Sequence, residues 1–101
     1  MSEEVKVPSV GQLLGKYVIV GLSYTDALDN VIDSIQLHGR IHRINETEGV
    51  VIRRDDKEEE YMLPLDLSAF EEAMPGEYRF SKTGEVILDP DYVSTWMIRK
   101  P

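Results

Sequence analysis

The sequence predicts a mainly β protein: a small, partly open barrel of five to seven antiparallel strands with one short helical insertion near residues 66–73. Three observations carry that expectation. Residues 31–43 place Val31, Ile35, Leu37 and Ile41 on one parity and Ser34, Gln36, His38, Arg40 and His42 on the other, the period of a strand with one dry and one wet face. Runs rich in β-branched and aromatic residues recur between closely spaced turn signals. The chain has 101 residues, 42% of them hydrophobic, which suits one core and one domain, with an N-terminal arm over 1–13 and the barrel over 14–99.

The elements follow in order. Residues 10–14 are compatible with a brief helical turn, weakened by Gly11 and Gly15. Residues 16–23, KYVIVGLS, carry apolar side chains on both parities and read as a central strand. Residues 24–30, YTDALDN, hold Thr, Asp and Asn that bond their own backbone, so a hairpin turn is expected. In the second strand Asp33 breaks the dry parity near the start, and Gly39 marks a bulge or bend. After a turn at 45–49, residues 50–54 and 61–63 read as two strands joined by an acidic tip. Pro64 stops the ladder. Leu67, Phe70 and Met74 then fall at helical spacing, with Ser68 and Glu71 spaced as a capping box, which predicts one or two helical turns. Pro75-Gly76 and Thr83-Gly84 bracket short strands at 77–81 and 86–88, Asp89-Pro90-Asp91 makes a turn, and residues 92–99 close the chain as a strand.

Nineteen acidic and eleven basic residues give a net charge of −8. The excess is local: residues 55–77 contain nine carboxylates and one lysine, a difference of eight, and the rest of the chain balances. Nucleic-acid binding draws on Lys and Arg to displace counterions from phosphates, so DNA and RNA are not expected partners, and anionic membranes are disfavoured for the same reason. An acidic segment either keeps a protein soluble or docks a basic partner, whose approach it speeds. The docking reading takes Asp55, Asp56, Glu58, Glu59, Glu60, Glu71 and Glu72 as contact residues. One form of it is an antitoxin- or immunity-like role in which acidic residues fill a basic groove.

Catalytic chemistry finds little support. Without cysteine there is no disulfide, thiol nucleophile, zinc-thiolate site or iron–sulfur cluster. His38 and His42 stand about 13 Å apart on a regular strand, too far to share one ion, so both are read as solvated and no metal or cofactor is expected. No G-x-S-x-G, H-E-x-x-H or phosphate-cradling loop occurs. The acidic run at 55–60 lacks the glycine and alternation of a calcium loop, and Asp89 and Asp91 read as turn formers. The tyrosines and Trp96 are read as core rather than as a recognition platform. The function expected is therefore a non-enzymatic binding or regulatory module for a basic protein. The alternative is a small-ligand binder or enzyme using Tyr24, His38, Arg40 and His42 on the wet face of residues 31–43.

The terminal strand 92–99 has no proline until Pro101 and charge only at its end, so it is an edge through which a homodimer can form. No apolar run approaches the roughly 20 residues of a membrane helix. Residues 1–10 carry Glu3, Glu4 and Pro8 where a signal peptide needs basic and then apolar residues, and a cytoplasmic location is expected.

Taken together, GKYVIVGLSYTD, IQLHGRIHRI, LPLDLSAFEEAMPGEYRF and TGEVILDPDYVSTWMI resemble an uncharacterised family of small bacterial proteins, over roughly residues 14–98. That resemblance implies a bacterial, intracellular origin and brings no catalytic residues with it. A looser similarity to SH3-like and Sm-like barrels rests on the bent second strand and the short strands, without the glycine and asparagine RNA-binding pattern of Sm proteins.

Overall fold

The computed structural model describes residues 7–54, 58–80 and 83–99. Of these, 58% are strand and 8% helical, so the mainly β expectation holds. A four-residue helix α1 (Val10–Leu13) opens the described chain, closed at its start by a capping box in which Ser9 and Gln12 each satisfy the other's backbone N–H. Strands β1 (Tyr17–Thr25), β2 (Val31–Asn45), β3 (Gly49–Arg54) and β4 (Glu60–Leu63) form an antiparallel meander. A 3-10 turn (Leu67–Ala69) leads into β5 (Phe70–Glu72), then β6 (Glu77–Arg79), β7 (Val86–Leu88) and β8 (Tyr92–Arg99). The main sheet has the order β4-β3-β2-β1-β8-β5, and β6 and β7 make a separate hairpin.

The described residues thus form eight strands in two sheets, where five to seven strands are expected, and these do not close into a barrel. One pairing differs from an all-antiparallel plan: β8 lies parallel to β1 over eight residues, from Val18 opposite Tyr92 to Thr25 opposite Arg99. Parallel neighbours need a long crossover, and β2 to β7 together supply it.

The first hairpin turn forms as its residues predict. The Asp26 carboxylate accepts hydrogen bonds from the N–H groups of Leu28 and Asn30, which holds its pKa below the usual range. The insertion at 66–73 is shorter than its spacing predicts. Asp66, not Ser68, caps the 3-10 turn, and at Phe70 the chain turns extended, because Phe70 enters the core and β5 pairs with the start of β8. Met74, third in the helical spacing, is 78% exposed. Gly39 is needed for close approach rather than for a bulge. A Cβ there would lie 2.1 Å from the Arg53 carbonyl oxygen of β3, whereas the bulge falls between Ile41 and Arg43, at His42. Gly49, at φ +83°, turns β2 into β3 where L side chains are strained.

Strand pairing fixes which side chains share a face. Val18, Val20 and Leu22 of β1 lie beside Gly39, Leu37 and Ile35 of β2, and with Leu13, Ile41, Val50, Ile52, Leu63, Phe70 and Tyr92 they build the main core. The opposite face of β1 and β2 carries Ile19 and His38 side by side, and Phe80, which follows β6, packs edge-on against His38. Ile19, His38 and Phe80 are all buried, so β1 is dry on both sides at its base. Beyond Leu37 this cover ends. Residues 31–36 of β2 are exposed without exception, and with the far halves of β1 and β8 they form a three-stranded tongue.

Candidate functional site

The residues expected to bind a basic partner separate into two groups. Asp55 and Asp56 lie outside the described residues. Glu58 and Glu59 are exposed ahead of β4, at one edge of the main sheet, while Glu71 and Glu72 belong to β5, the opposite edge strand. Glu60 is not an unengaged charge. Arg43 donates to it from Nη1 at 2.8 Å and Nη2 at 3.0 Å, and the same guanidinium donates to Glu48 from Nε at 2.7 Å and Nη2 at 2.5 Å. These bonds hold Glu48 down to about 2, with help from Asn45, and keep Glu60 below its ordinary value; the Arg43 pKa rises in return.

The residues of the alternative ligand site also divide. Tyr24 pairs with Asp33 and lies on the core face, the side away from His38 and Arg40. It hydrogen-bonds Tyr61, whose hydroxyl is pushed up to about 12 first by burial and then by that bond. His42 is exposed at the bulge. His38 is 5% exposed, which corrects the solvated reading: the β6–β7 hairpin lies over the face that the sequence pattern left open.

His38 sits in a closed chain of polar contacts. Its Nε2 is 3.0 Å from a Glu85 carboxylate oxygen and its Nδ1 is 2.5 Å from the Tyr17 hydroxyl. A carboxylate only accepts, so Nε2 carries the hydrogen it donates to Glu85, and in the neutral ring Nδ1 then accepts from the Tyr17 hydroxyl. Phe80 meets the imidazole edge-on at 5.2 Å between ring centroids. Arg40 stands over the Tyr17 ring, with its guanidinium carbon 5.7 Å from the ring centroid, and donates to the Gly15 carbonyl at 3.1 Å. This chain ties the β6–β7 hairpin to β1 and β2.

A concave acidic surface lies at the base of the sheet, around Tyr92. One cleft of about 440 Å3 is lined by Pro8, Gln12, Phe70, Glu71, Glu72 and Tyr92 among others. An adjoining cleft of about 370 Å3 shares Glu72 and Tyr92 and adds Lys16, Asp89, Pro90 and Asp91. The two therefore form one furrow holding four carboxylates and one ammonium. Its walls are fixed by backbone contacts: Asp91 accepts from the Tyr17 N–H at 2.9 Å, Asp89 accepts from the Gly76 N–H at 2.7 Å, and the Ala73 N–H donates to the Asp91 carbonyl. The Tyr92 pKa is raised, first by burial and then by the charges of Glu72 and Asp91, as expected of a hydroxyl in a negative field. A third cleft shares Asp89 and Asp91 with the furrow and adds Tyr17, Arg40 and the apolar strand β7.

The sequence singled out Glu71 and Glu72 and assigned Asp89 and Asp91 to turn formation. They do pin turns, and they also line the furrow. What brings them beside Glu72 is the register that sets Glu72 opposite Tyr92, a long-range pairing that no local pattern signals. Among the described residues no group of three or more His, Asp or Glu is placed to hold a metal ion, and no described helix is long and apolar enough to cross a membrane. Comparison of the chain with protein-family models, with curated proteins and with solved structures finds no match.

Proposed function

We propose that this chain is a binding module that receives a basic segment of a protein partner in the furrow bounded by Glu71, Glu72, Asp89 and Asp91. The observation that carries the reading is the convergence of these four carboxylates on two adjoining clefts around Tyr92. The chemistry fits a Lys- or Arg-rich peptide. The carboxylates accept charge-assisted hydrogen bonds, and Val7 and Pro75, both exposed in the lining, offer apolar surface to the methylene stems of such side chains. The furrow takes over the role that the sequence assigned to one acidic segment, and Glu58 and Glu59 at the far edge steer approach without forming the seat.

The test is calorimetric titration of a short arginine-rich peptide into the protein and its variants. Glu71→Gln with Glu72→Gln is expected to weaken binding by about two- to thirtyfold at low salt, since exposed ion pairs contribute roughly 0.2–1 kcal/mol each. The difference is expected to shrink as salt rises. Glu58→Gln with Glu59→Gln is the control and should change affinity less. Peptide binding that ignores the Glu71 and Glu72 changes, or that is absent at low salt, overturns the proposal.

A second reading has one observation in its favour. An open cleft of about 410 Å3 lined by Tyr17, Arg40, Val86, Leu88, Asp89 and Asp91 lies beside the His38 chain, and it offers a small ligand one cationic, two anionic and several apolar contacts. A ligand there would report itself by protecting Arg40 from guanidinium-directed reagents, and no such protection by any small molecule that binds would remove this reading.

A further inference from the structure

The tongue at the other end of β8 carries a second contact surface, independent of the furrow. The sequence offers all of residues 92–99 as an edge, but β5 pairs with Tyr92, Val93 and Ser94, so only the remainder is open on that side. Among the described residues, no strand lies along the outer side of residues 95–99, whose inner side pairs with β1 from Gly21 to Thr25. Extended backbone with one open side presents alternating N–H and C=O groups that are satisfied by another extended strand. The usual protections of such an edge are missing. There is no proline and no inward-pointing charge, and Arg99, the only charged residue of β8, is held by the Asp29 carboxylate of the same tongue.

We infer that a second copy of this chain covers this edge, with β8 pairing antiparallel to its own symmetry mate about a two-fold axis at Met97. A two-fold pairing that uses every open residue from 95 to 99 has one possible centre, residue 97. That register sets Met97 opposite Met97 of the partner subunit on one face of the sheet. Trp96 stands opposite the partner's Ile98 on the other, and Thr95 opposite the partner's Arg99. Apolar side chains thus meet apolar side chains, and no like charges oppose. Met97 is 70% exposed in the single chain and Ile98 36%, so the contact removes apolar surface from water on both faces. The net charge of −8 does not forbid it. Five steps of strand separate Tyr92 from Met97, about 17 Å at the usual rise, which places the two-fold axis about twice a Debye length of roughly 8 Å from the furrow.

Sedimentation velocity of the full chain at physiological salt, over micromolar to about 100 μM, tests this. The expected result is a species of twice 11.5 kDa that grows with concentration. Met97→Lys places two ammonium groups face to face on the axis and should weaken the dimer at least tenfold, with circular dichroism unchanged. Because the chain contains no cysteine, Met97→Cys gives a register-specific check: it should form an intermolecular disulfide far faster than Met74→Cys, whose parent residue is also exposed but lies outside the tongue. A chain that stays monomeric to 100 μM overturns the inference. So does a dimer that persists in Met97→Lys and cross-links no faster through Met97→Cys than through Met74→Cys.

Discussion

Tyr17, His38 and Glu85 show what a polar residue costs and returns when a fold buries it. His38 would be expensive beneath the β6–β7 hairpin if either ring nitrogen lacked a partner, and both have one. Removing one donor exposes that balance. Tyr17→Phe keeps the ring and leaves Nδ1 buried without its hydrogen bond, a loss of about 1–3 kcal/mol. Thermal denaturation should show a midpoint lowered by roughly 4–8 °C for each kcal/mol in a domain of this size, and an unchanged midpoint would contradict the buried chain. Arg43 gives a pH-dependent counterpart. The Glu48 carboxyl lies near 2 in the folded chain against an ordinary 4.5, so its contribution is complete above about 4.5 and is lost as pH falls towards 2. Chemical denaturation across that window should show wild-type stability falling more steeply than that of Glu48→Gln, and parallel profiles would contradict it.

At the scale of elements, local chemistry accounts for most of the turns and strands and fails where a distant strand decides. The alternation of Val31, Ile35, Leu37 and Ile41 marks β2, and Asp26 and Asn30 mark its turn, because both signals reside within a few residues. The insertion at 66–73 is different. Leu67, Phe70 and Met74 repeat at helical spacing, yet Phe70 pairs opposite Ser94 and the segment becomes extended, since burial of Phe70 and the β8 ladder outweigh a short helix that could not stand alone. Gly39 was legible as a special position but not as the point where Arg53 of β3 approaches. Gly39→Ala should therefore be severe for its size. A methyl 2.1 Å from a backbone oxygen forces β2 and β3 apart, and destabilisation should reach the upper end of the roughly 1–3 kcal/mol of overpacking or exceed it. Urea denaturation measures this, and a loss under about 0.5 kcal/mol would mean that the two strands are not so closely paired.

At the scale of the whole molecule, the parallel placement of β8 beside β1 organises both ends. At its start β8 brings Tyr92 and Asp91 next to Glu72, and at its end it leaves residues 95–99 open along one side of the tongue. The excess negative charge and the final strand were both legible in the sequence. Their arrangement was not, because it depends on a pairing between residues some seventy positions apart and on a hairpin folding over the face that alternation had left polar. The seat for a basic segment is the claim on which the functional account stands, and it is tested most directly by mapping backbone amide chemical shifts during titration with a short arginine-rich peptide at low salt. The account predicts the largest changes at Glu71, Glu72, Ala73, Asp91 and Tyr92, fading as salt is raised, with smaller ones at Glu58 and Glu59. Changes centred on Glu58 and Glu59, or spread evenly over the exposed carboxylates, would contradict it.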